Sequence, residues 1–435
     1  MSNMRVSVII PVWNGREYLP GCLDALLAQE YPDFEVIAVD NASVDGSAEL
    51  IAEKYPQVRL IRNIQNLGFA GGCNAGLKVA QGDILVLLNQ DTVVLPGWLR
   101  ALVEALQRPD VGVAGCKILY PDGKTIQHAG GWIEWPLGSA YHYGKGEEDV
   151  GQWNEPRQVD YVTGAAMAFR RDVLERVGPL DEEFWPGYFE DTDFCFRVRE
   201  AGYGVWYIPD SFLLHMETAS SIQPWDVSVF YERGRLRFVL KHLSPEHFLE
   251  EFVPQEQKKH LPFTQGIGGD PLRLAYLEAI PMAARILLQR WNADGCVIEE
   301  VILALYSLYR SPFSPIQTES LETGKPREFL ALQEFQFRST VPVIGPVIAR
   351  LREACYNIAA RWAIRYLIQQ QTTINQQQTT INQQQASINR ELWATICALE
   401  RRFTESSLSQ AREIARLIQE LERMKQRIEK VENNG

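Results

Sequence analysis

Two residues at the ends of predicted strands could together bind a metal ion. Asp91 follows the apolar run Ile84–Leu88. One carboxylate there can hold a hard divalent cation whose other positions are filled by diphosphate oxygens and water. His215 closes a second apolar run and could complete the site. Taken singly, the aspartate is better explained by a turn and the histidine by the core, so only their combination favours a metal site.

Three carboxylates, Glu190, Asp191 and Asp193, fall at the predicted start of a helix spanning residues 191–201. Acidic residues at that position interact favourably with the helix dipole, which is their ordinary explanation. The run before them, Phe184–Phe189, reads FWPGYF and is aromatic and rich in turn residues. Apolar walls of that kind raise the pKa of a carboxyl group towards that of a general base. An aromatic cleft also suits the faces of sugars.

The first 110 residues alternate short β-branched runs with amphipathic stretches, the pattern of an α/β layer with a mainly parallel sheet. Strands are predicted at 5–10, 34–39, 58–61 and 84–88. Because ligands bind at the carboxyl ends of such strands, the polar residues there matter most. Asp40 could accept hydrogen bonds from a base or ribose, with Trp13 beside the base. An Asx turn explains Asp40 and Asp45 equally well.

The pattern changes after Val111. The run Val111–Leu119 and the turn after it predict an antiparallel edge added to the sheet. Further strands are predicted at 161–169, 203–208 and 212–215. Beyond residue 225 the sequence becomes helical, first with a basic face formed by Arg233, Arg235, Arg237 and Lys241.

Five motifs, in order, resemble those of family 2 glycosyltransferases of the GT-A fold, a Rossmann-like α/β domain. Among these, the sequence is most similar to rhamnosyltransferase-like enzymes of bacterial surface polysaccharide assembly. The resemblance covers about residues 5–240, and the motifs are Val6–Asn14, Val39–Ser47, Asn66–Asn74, Leu88–Asp91 and Phe189–Asp193.

The resemblance implies inverting transfer of a rhamnose-like sugar from a nucleotide-diphosphate sugar to a hydroxyl of a glycan or lipid-linked glycan. It implies Asp191 as the base, Glu190 beside it for the acceptor, and Mg²⁺ or Mn²⁺ on Asp91 and His215. The donor pocket would comprise Pro11, Trp13, Asp40, Asn66, Gly68, Asn74 and Gln90. One departure from the family pattern is that Asn89 replaces the first acid of the Asp-x-Asp motif. This leaves direct metal contact to Asp91 and weakens the expectation of strict metal dependence.

The sequence argues against two other functions. A sugar nucleotidyltransferase would need a Gly-rich, basic phosphate loop after the first strand, and Pro11–Gly15 lacks one. A non-catalytic coiled-coil scaffold that only binds sugar nucleotides could dispense with Asp91 and Asp191, and both are present. No first-turn G-x-G-x-x-G occurs, which counts against a dinucleotide site.

The chain is predicted to continue from the catalytic domain (1–240) through a helical extension (241–310) and a linker (311–340). A basic amphipathic helix (341–368) and a Gln-rich coiled coil (369–435) follow. A repeat of QQQTTIN from Gln369 keeps Ile374, Ile381 and Ile388 on a heptad seam, which predicts self-association. The basic helix either packs on the preceding helices or lies on an anionic membrane surface, where it would suit a lipid-carried acceptor.

Composition and charge exclude several other classes of protein. The 435 residues are 46% hydrophobic and 23% charged, which excludes wholesale disorder. The formal charge of −12 argues against nucleic acid as the main partner. Seven scattered cysteines without a Cys-x-x-Cys pair favour a reduced, cytoplasmic protein. The sequence contains no run of 18 apolar residues, so no membrane-spanning helix is predicted, and Val6–Val12 is too short for a secretory signal.

Overall fold

The computed structural model describes residues 4–216, 224–260 and 271–310. The chain divides into two compact units, Met1–Leu243 and Ser244–Gly435. The predicted linker (311–340), basic amphipathic helix (341–368) and coiled coil (369–435) lie outside the described residues.

The first unit alternates strands and helices as far as Leu106 and then becomes strand-rich. Its strands are β1 (Val6–Val12), β2 (Phe34–Asp40), β3 (Arg59–Arg62), β4 (Ile84–Leu88), β5 (Thr92–Val94), β6 (Val111–Leu119), β7 (Ile126–His128), β8 (Gly131–Glu134), β9 (Ser139–His142), β10 (Arg157–Gln158), β11 (Ala166–Arg170) and β12 (Gly204–His215). Its helices are α1 (Leu19–Leu27), α2 (Ser47–Lys54), α3 (Gly68–Leu77), α4 (Trp98–Leu106), α5 (Arg171–Val177), α6 (Glu190–Glu200) and α7 (Pro224–His242), with a 3₁₀ turn at Glu182–Phe184.

The main sheet is mixed, in the order β10-β12-β6-β11-β4-β1-β2-β3, and β8 and β9 form a separate hairpin. Strand β1 lies between β2 and β4 and is parallel to both, while β3 is parallel to β2. The carboxyl ends of β1, β2 and β4 therefore meet at one edge. Helices α1, α2 and α4 cover one face of the sheet, and α3 and α6 pack into the core on the other.

The strand-rich region differs from its prediction in three ways. Strand β6 is not at an edge: all nine of its residues are buried, and it lies between β11 and a parallel β12. The two strands predicted at 203–208 and 212–215 are one strand, β12, whose register shifts between Ile208 and Phe212. Strand β11 begins only at Ala166, because the residues before it turn towards α6.

The predicted basic face of α7 is largely not a solvent-exposed face. Arg235 is 1% exposed and Arg237 is 7% exposed. Arg237 pairs with Asp181 at 2.7 Å, and Arg235 pairs with Glu232 on its own helix. Arg235 and Arg237 are two positions apart, so they lie on different sides of α7, and each side chain is buried against its own partners.

In the second unit, α8 (Pro245–His247), a π-helical stretch (Phe248–Phe252) and α9 (Val253–His260) follow one another. Helices α10 (Pro271–Trp291) and α11 (Gly295–Arg310) pack on each other. The hydroxyl of Tyr276 donates to the buried carboxylate of Glu256 at 2.7 Å, which joins α10 to α9. Within the described ranges, no helix is both long enough and apolar enough to cross a membrane.

Candidate active site

The loop after β1 is held by a side chain that follows β4. The Gln90 amide accepts a hydrogen bond from the Trp13 N–H and donates one to the Trp13 carbonyl, both at 3.0 Å. A Cβ on Gly15 would lie only 2.0 Å from Gln90 Oε1, so the glycine allows this close approach. Gln90, predicted to bind the donor, thus fixes the loop that carries Trp13 and follows Pro11.

Asp91 and His215, predicted to share a metal, are neighbours. The distance from His215 Nε2 to Asp91 Oδ1 is 3.2 Å. The pairing of β5 with β12 brings them together, since His215 lies opposite Thr92. On the other side of the ring, His215 Nδ1 lies 2.7 Å from Gln127 Oε1. That oxygen can only accept, so Nδ1 carries the proton and directs Nε2 towards Asp91 as a potential ligand.

The turn after β2 uses its two aspartates differently. Asp45 is structural: it accepts from the backbone and hydroxyl of Ser47 at 3.0 and 2.6 Å, and from the Arg16 N–H at 2.9 Å. Asp40 makes a longer Asx contact of 3.3 Å with the Ser43 N–H and is 4% exposed. Asx contacts are therefore present at both aspartates, as the turn explanation expects. Asp40 also lies at the edge of the sheet where β1, β2 and β4 end.

Helix α3 and the residues just before it contain three predicted donor-pocket residues, and two of them position the backbone. Asn66, two residues before the helix, accepts from the Gly68 N–H at 2.8 Å. Gly68 has φ +72°, and a Cβ there would lie 2.9 Å from the Pro186 carbonyl. The 185–186 turn can therefore approach closely.

Asn74 is 2% exposed, and its amide is engaged by protein groups. It donates to the Leu180 carbonyl and to Glu182 at 2.8 and 2.9 Å, and it accepts from the Leu180 N–H at 3.1 Å. Asn74 therefore acts on the site through the 180–182 loop that it fixes.

Asp191 is placed next to the end of β4 by two hydrogen bonds in series. The Asn89 N–H donates to the Ala165 carbonyl at 2.9 Å, and the neighbouring Gly164 N–H donates to Asp191 Oδ2 at 2.7 Å. Asp191 Oδ1 accepts from the N–H and hydroxyl of Thr192 at 2.6 and 3.1 Å. The half-buried carboxylate is therefore linked, through Gly164 and Ala165, to the segment that follows β4.

The three carboxylates of α6 have different environments. Burial raises the pKa of Asp191, although the hydrogen bonds from Gly164 and Thr192 oppose the shift. Burial, with Asp191 and Asp193 nearby, raises the pKa of Glu190 well above its usual value. Glu190 is 5% exposed, and its Oε2 atom has no hydrogen-bond partner within the described residues.

Asp193 is fully buried but is surrounded by basic side chains. Its Oδ1 lies 2.6 Å from Lys241 Nζ and 3.0 Å from His242 Nε2, and its Oδ2 lies 2.9 Å from Arg197 Nε. Burial alone would raise its pKa, but the His242 hydrogen bond and the charges of Arg197 and Lys241 lower it far below the usual value.

The turn before α6 has an unfavourable backbone conformation. Tyr188 and Phe189, neither of them glycine, have φ +77° and +73°. Consecutive residues in this region cost about 1–3 kcal/mol each and persist only where packing enforces them. Gly234 of α7 provides the space, since a Cβ there would lie 2.7 Å from the Tyr188 carbonyl. Helix α7 therefore holds the turn that presents Glu190 and Asp191.

Comparison with known proteins identifies the family. The model of glycosyl transferase family 2 matches residues 7–178. The N-acetylglucosaminyl-diphospho-decaprenol L-rhamnosyltransferase of Mycobacterium tuberculosis (strain CDC 1551 / Oshkosh) is 30% identical over 223 residues, 45% of this chain and 70% of that protein. The chain belongs to glycosyl transferase family 2. Its mixed α/β sheet supports the GT-A fold that the motifs predict.

Other relatives of this family 2 glycosyltransferase are longer. The O-antigen biosynthesis protein RfbC of Myxococcus xanthus is 34% identical over 226 residues, which are 50% of this chain and 18% of that protein. An uncharacterized protein of Sinorhizobium fredii, y4gI, is 34% identical over 49% of this chain and 25% of that protein. The chain therefore spans a quarter or less of these two relatives.

Similarity to solved structures is weaker. The mannosyltransferase PcManGT of Pyrobaculum calidifontis, in complex with GDP-Man and Mn²⁺, is 21% identical with a TM-score of 0.41, covering 71% of this chain and 83% of that one. Staphylococcus aureus TarS 1–349, in complex with UDP-GlcNAc, is 16% identical with a TM-score of 0.46, covering 71% and 91%. These scores are too low to transfer ligand geometry to this family 2 glycosyltransferase.

The residues of this family 2 glycosyltransferase fit a divalent metal held by two protein ligands. Among the described residues, no group of three or more His, Cys, Asp or Glu side chains converges as a metal site. Asp91 and His215 do converge, and the Gln127 contact orients the histidine. Two protein ligands suit a cation such as Mg²⁺, whose remaining positions are filled by substrate phosphates and water.

Several residues that position the site of this family 2 glycosyltransferase were not predicted from the sequence. Gly164, which binds the Asp191 carboxylate through its N–H, was placed inside a strand. Gln127, which orients His215, lies in none of the five motifs. Two of the three basic partners of Asp193, Lys241 and His242, lie on α7, about 50 residues further along the chain, and nothing in the local sequence pairs them with Asp193.

Proposed function

We propose that this family 2 glycosyltransferase transfers a sugar, with inversion, from a nucleotide-diphosphate sugar to a hydroxyl of a glycan or lipid-linked glycan. One observation carries the proposal: the Asn89–Ala165 and Gly164–Asp191 hydrogen bonds link the carboxylate of Asp191 to the strand end beside the Asp91–His215 pair. A base and a site for diphosphate charge are the two groups that such a transfer needs.

Asp191 is the base. Its carboxylate takes the proton of the acceptor hydroxyl while that oxygen forms a bond to the anomeric carbon and the bond to the diphosphate breaks. A single displacement from the opposite face inverts the configuration. The raised pKa of Asp191 makes the ionised carboxylate a stronger base than an exposed aspartate. The Gly164 and Thr192 hydrogen bonds keep the carboxylate in one orientation.

Asp91 and His215 would hold Mg²⁺ or Mn²⁺, which neutralises the charge that develops on a leaving diphosphate. Asn89 lies beside them, with its Nδ2 3.5 Å from His215 Nε2. We assign the nucleotide to the edge formed by Pro11, Trp13 and Asp40, with Asn66, Gly68, Asn74 and Gln90 positioning that edge. We assign Glu190 to the acceptor side, next to the base.

We propose a bacterial surface glycan or its lipid-linked precursor as the acceptor and a rhamnose-like donor sugar. The support is that relatives are named a rhamnosyltransferase and an O-antigen biosynthesis protein. We further propose that the enzyme acts in the cytoplasm, that residues 369–435 self-associate, and that residues 341–368 bring it to the membrane surface. Sedimentation with and without 369–435, and liposome flotation of the full chain, test the last two points.

The deciding experiment is a radiolabelled-sugar transfer assay on a panel of nucleotide sugars with Mn²⁺. Asp191→Asn should retain donor binding and lose transfer by about 10²–10⁴-fold. Asp91→Ala should lose the Mn²⁺-dependent part of donor binding in calorimetric titration. Asp172→Asn, which removes an exposed carboxylate paired with Arg170, is the matched control and should behave as wild type. Undiminished transfer by Asp191→Asn would falsify the assignment of the base.

A further inference from the structure

The exposed tryptophan and tyrosine side chains of this protein are concentrated in two segments. Among the residues whose side chains are described, every exposed tryptophan or tyrosine lies in or just after β8, in β9, or in the turn before α6. They are Trp132, Trp135, Tyr141, Trp185 and Tyr188, each 37–42% exposed. Aromatic rings left in water at one place typically mark a binding surface, because burying them elsewhere would stabilise the fold.

The β8–β9 hairpin presents two of these rings as a pair. Trp132 and Tyr141 are directly opposite each other on the two strands, with ring centroids 4.6 Å apart and planes inclined by 20°. Because side chains alternate along a strand, Ile133 faces the core while Trp132 and Glu134 face outward. The Tyr141 hydroxyl donates to Glu134 Oε2 at 3.1 Å. We call Trp132, Glu134 and Tyr141 the hairpin platform.

The hairpin platform is joined to the turn before α6 through one helix. Tyr231 of α7 accepts at its hydroxyl from the Ala140 N–H at 3.2 Å, and its ring lies 5.1 Å from that of Phe189. Arg235, also on α7, donates to the Leu137 carbonyl at 2.7 Å. The same helix therefore fixes both the platform and the residues that precede Glu190 and Asp191.

We propose that the hairpin platform is an acceptor subsite that binds a pyranose ring of the acceptor glycan next to the sugar that receives the transfer. The apolar C–H face of a pyranose fits a flat aromatic surface, and the ring hydroxyls can donate to the Glu134 carboxylate at its border. That carboxylate disfavours an anionic lipid headgroup as the occupant. The inference rests on the proposed function, because it assumes a glycan acceptor.

The test is saturation-transfer NMR of the full chain with mono-, di- and trisaccharides of glucose, galactose, mannose, rhamnose and N-acetylglucosamine. At least one di- or trisaccharide should bind the wild type. Trp132→Ala should weaken that binding about tenfold or more, Trp132→Phe should restore part of it, and Tyr141→Phe should retain most of it because the ring remains. Thermal melts establish that each variant is folded.

The control is Phe212→Ala, which removes a ring of equal exposure from β12, outside the platform, and should bind as wild type. Binding to no member of the panel, or equal binding by the wild type and folded Trp132→Ala, overturns the subsite. Failure of the proposed function looks different: Asp191→Asn would then transfer sugar normally, whatever the platform binds.

Discussion

Two carboxylates three residues apart on α6 should respond oppositely to the same isosteric change. Glu190 is buried with an unpartnered Oε2 among the described residues, whereas Asp193 is buried among Arg197, Lys241 and His242. Replacing each acid by its amide keeps the shape and removes the charge. We expect Glu190→Gln to stabilise the protein and Asp193→Asn to destabilise it.

The magnitudes follow from the environments. Burial and the neighbouring acids raise the pKa of Glu190 above that of an unfolded Glu, so this carboxyl group penalises the folded state at neutral pH. An amide avoids that cost, and we expect a gain of about 1–3 kcal/mol, the usual cost of a buried polar group without a partner. Removing the charge of Asp193 takes its carboxylate partner from Arg197 and one of two carboxylate partners from Lys241, which also pairs with Asp181. Breaking a buried ion pair in this way costs about 3–5 kcal/mol.

The pH dependence separates the two effects. The raised pKa of Glu190 makes its penalty largest above that pKa, so the advantage of Glu190→Gln should vanish as the pH falls towards about 4.3. The lowered pKa of Asp193 makes its contribution fully present above the unfolded value of about 3.9. The deficit of Asp193→Asn should therefore persist down to a pH of about 4 and shrink only below it.

Urea unfolding of the full chain, followed by tryptophan fluorescence at several pH values, measures both changes. Asp110→Asn is the control, because the Arg108–Asp110 pair is exposed and such pairs contribute little to stability. A loss below about 1 kcal/mol for Asp193→Asn, or destabilisation by Glu190→Gln at neutral pH, would refute this account of the helix.

Two further predictions concern the site. Gln90→Ala removes both hydrogen bonds to Trp13, so we expect unfolding free energy to fall by about 1–3 kcal/mol and donor KM to rise with little change in kcat; an unchanged KM would contradict the role of the loop. Because the base form of Asp191 exists only above its raised pKa, kcat/KM should fall as the pH drops through that value. Asp191→Asn should abolish this acid limb in the same pH series, and its persistence would assign the limb to another group.

The sequence predicted the parallel half of the fold well because β1, β2 and β4 each contain a short local run of apolar residues. Strand β4 has the predicted bounds, Ile84–Leu88, and is buried throughout. Strand β6 was misplaced because an internal strand and an edge strand can have the same local pattern, and only its pairing with the distant β12 distinguishes them. The site followed the same rule: Asp91 and His215 could be named from their strand ends, whereas Gln127 could not.

The motif residues differ in the groups that their polar atoms contact. Asn74 and Gln90 lie within motifs that suggest ligand contact, yet their amides hydrogen-bond to backbone groups 106 and 77 residues away along the chain, and Asn74 also donates to Glu182. Asp91 and Asp191 instead each contact a residue from a distant segment of the chain. Asp91 contacts His215, and Asp191 accepts from the Gly164 N–H. A motif alone cannot separate these roles, because an amide that positions a loop and one that binds a substrate need the same chemistry. Substitution of Gln90 should therefore lower stability and donor affinity together, whereas substitution of Asp191 should remove catalysis alone.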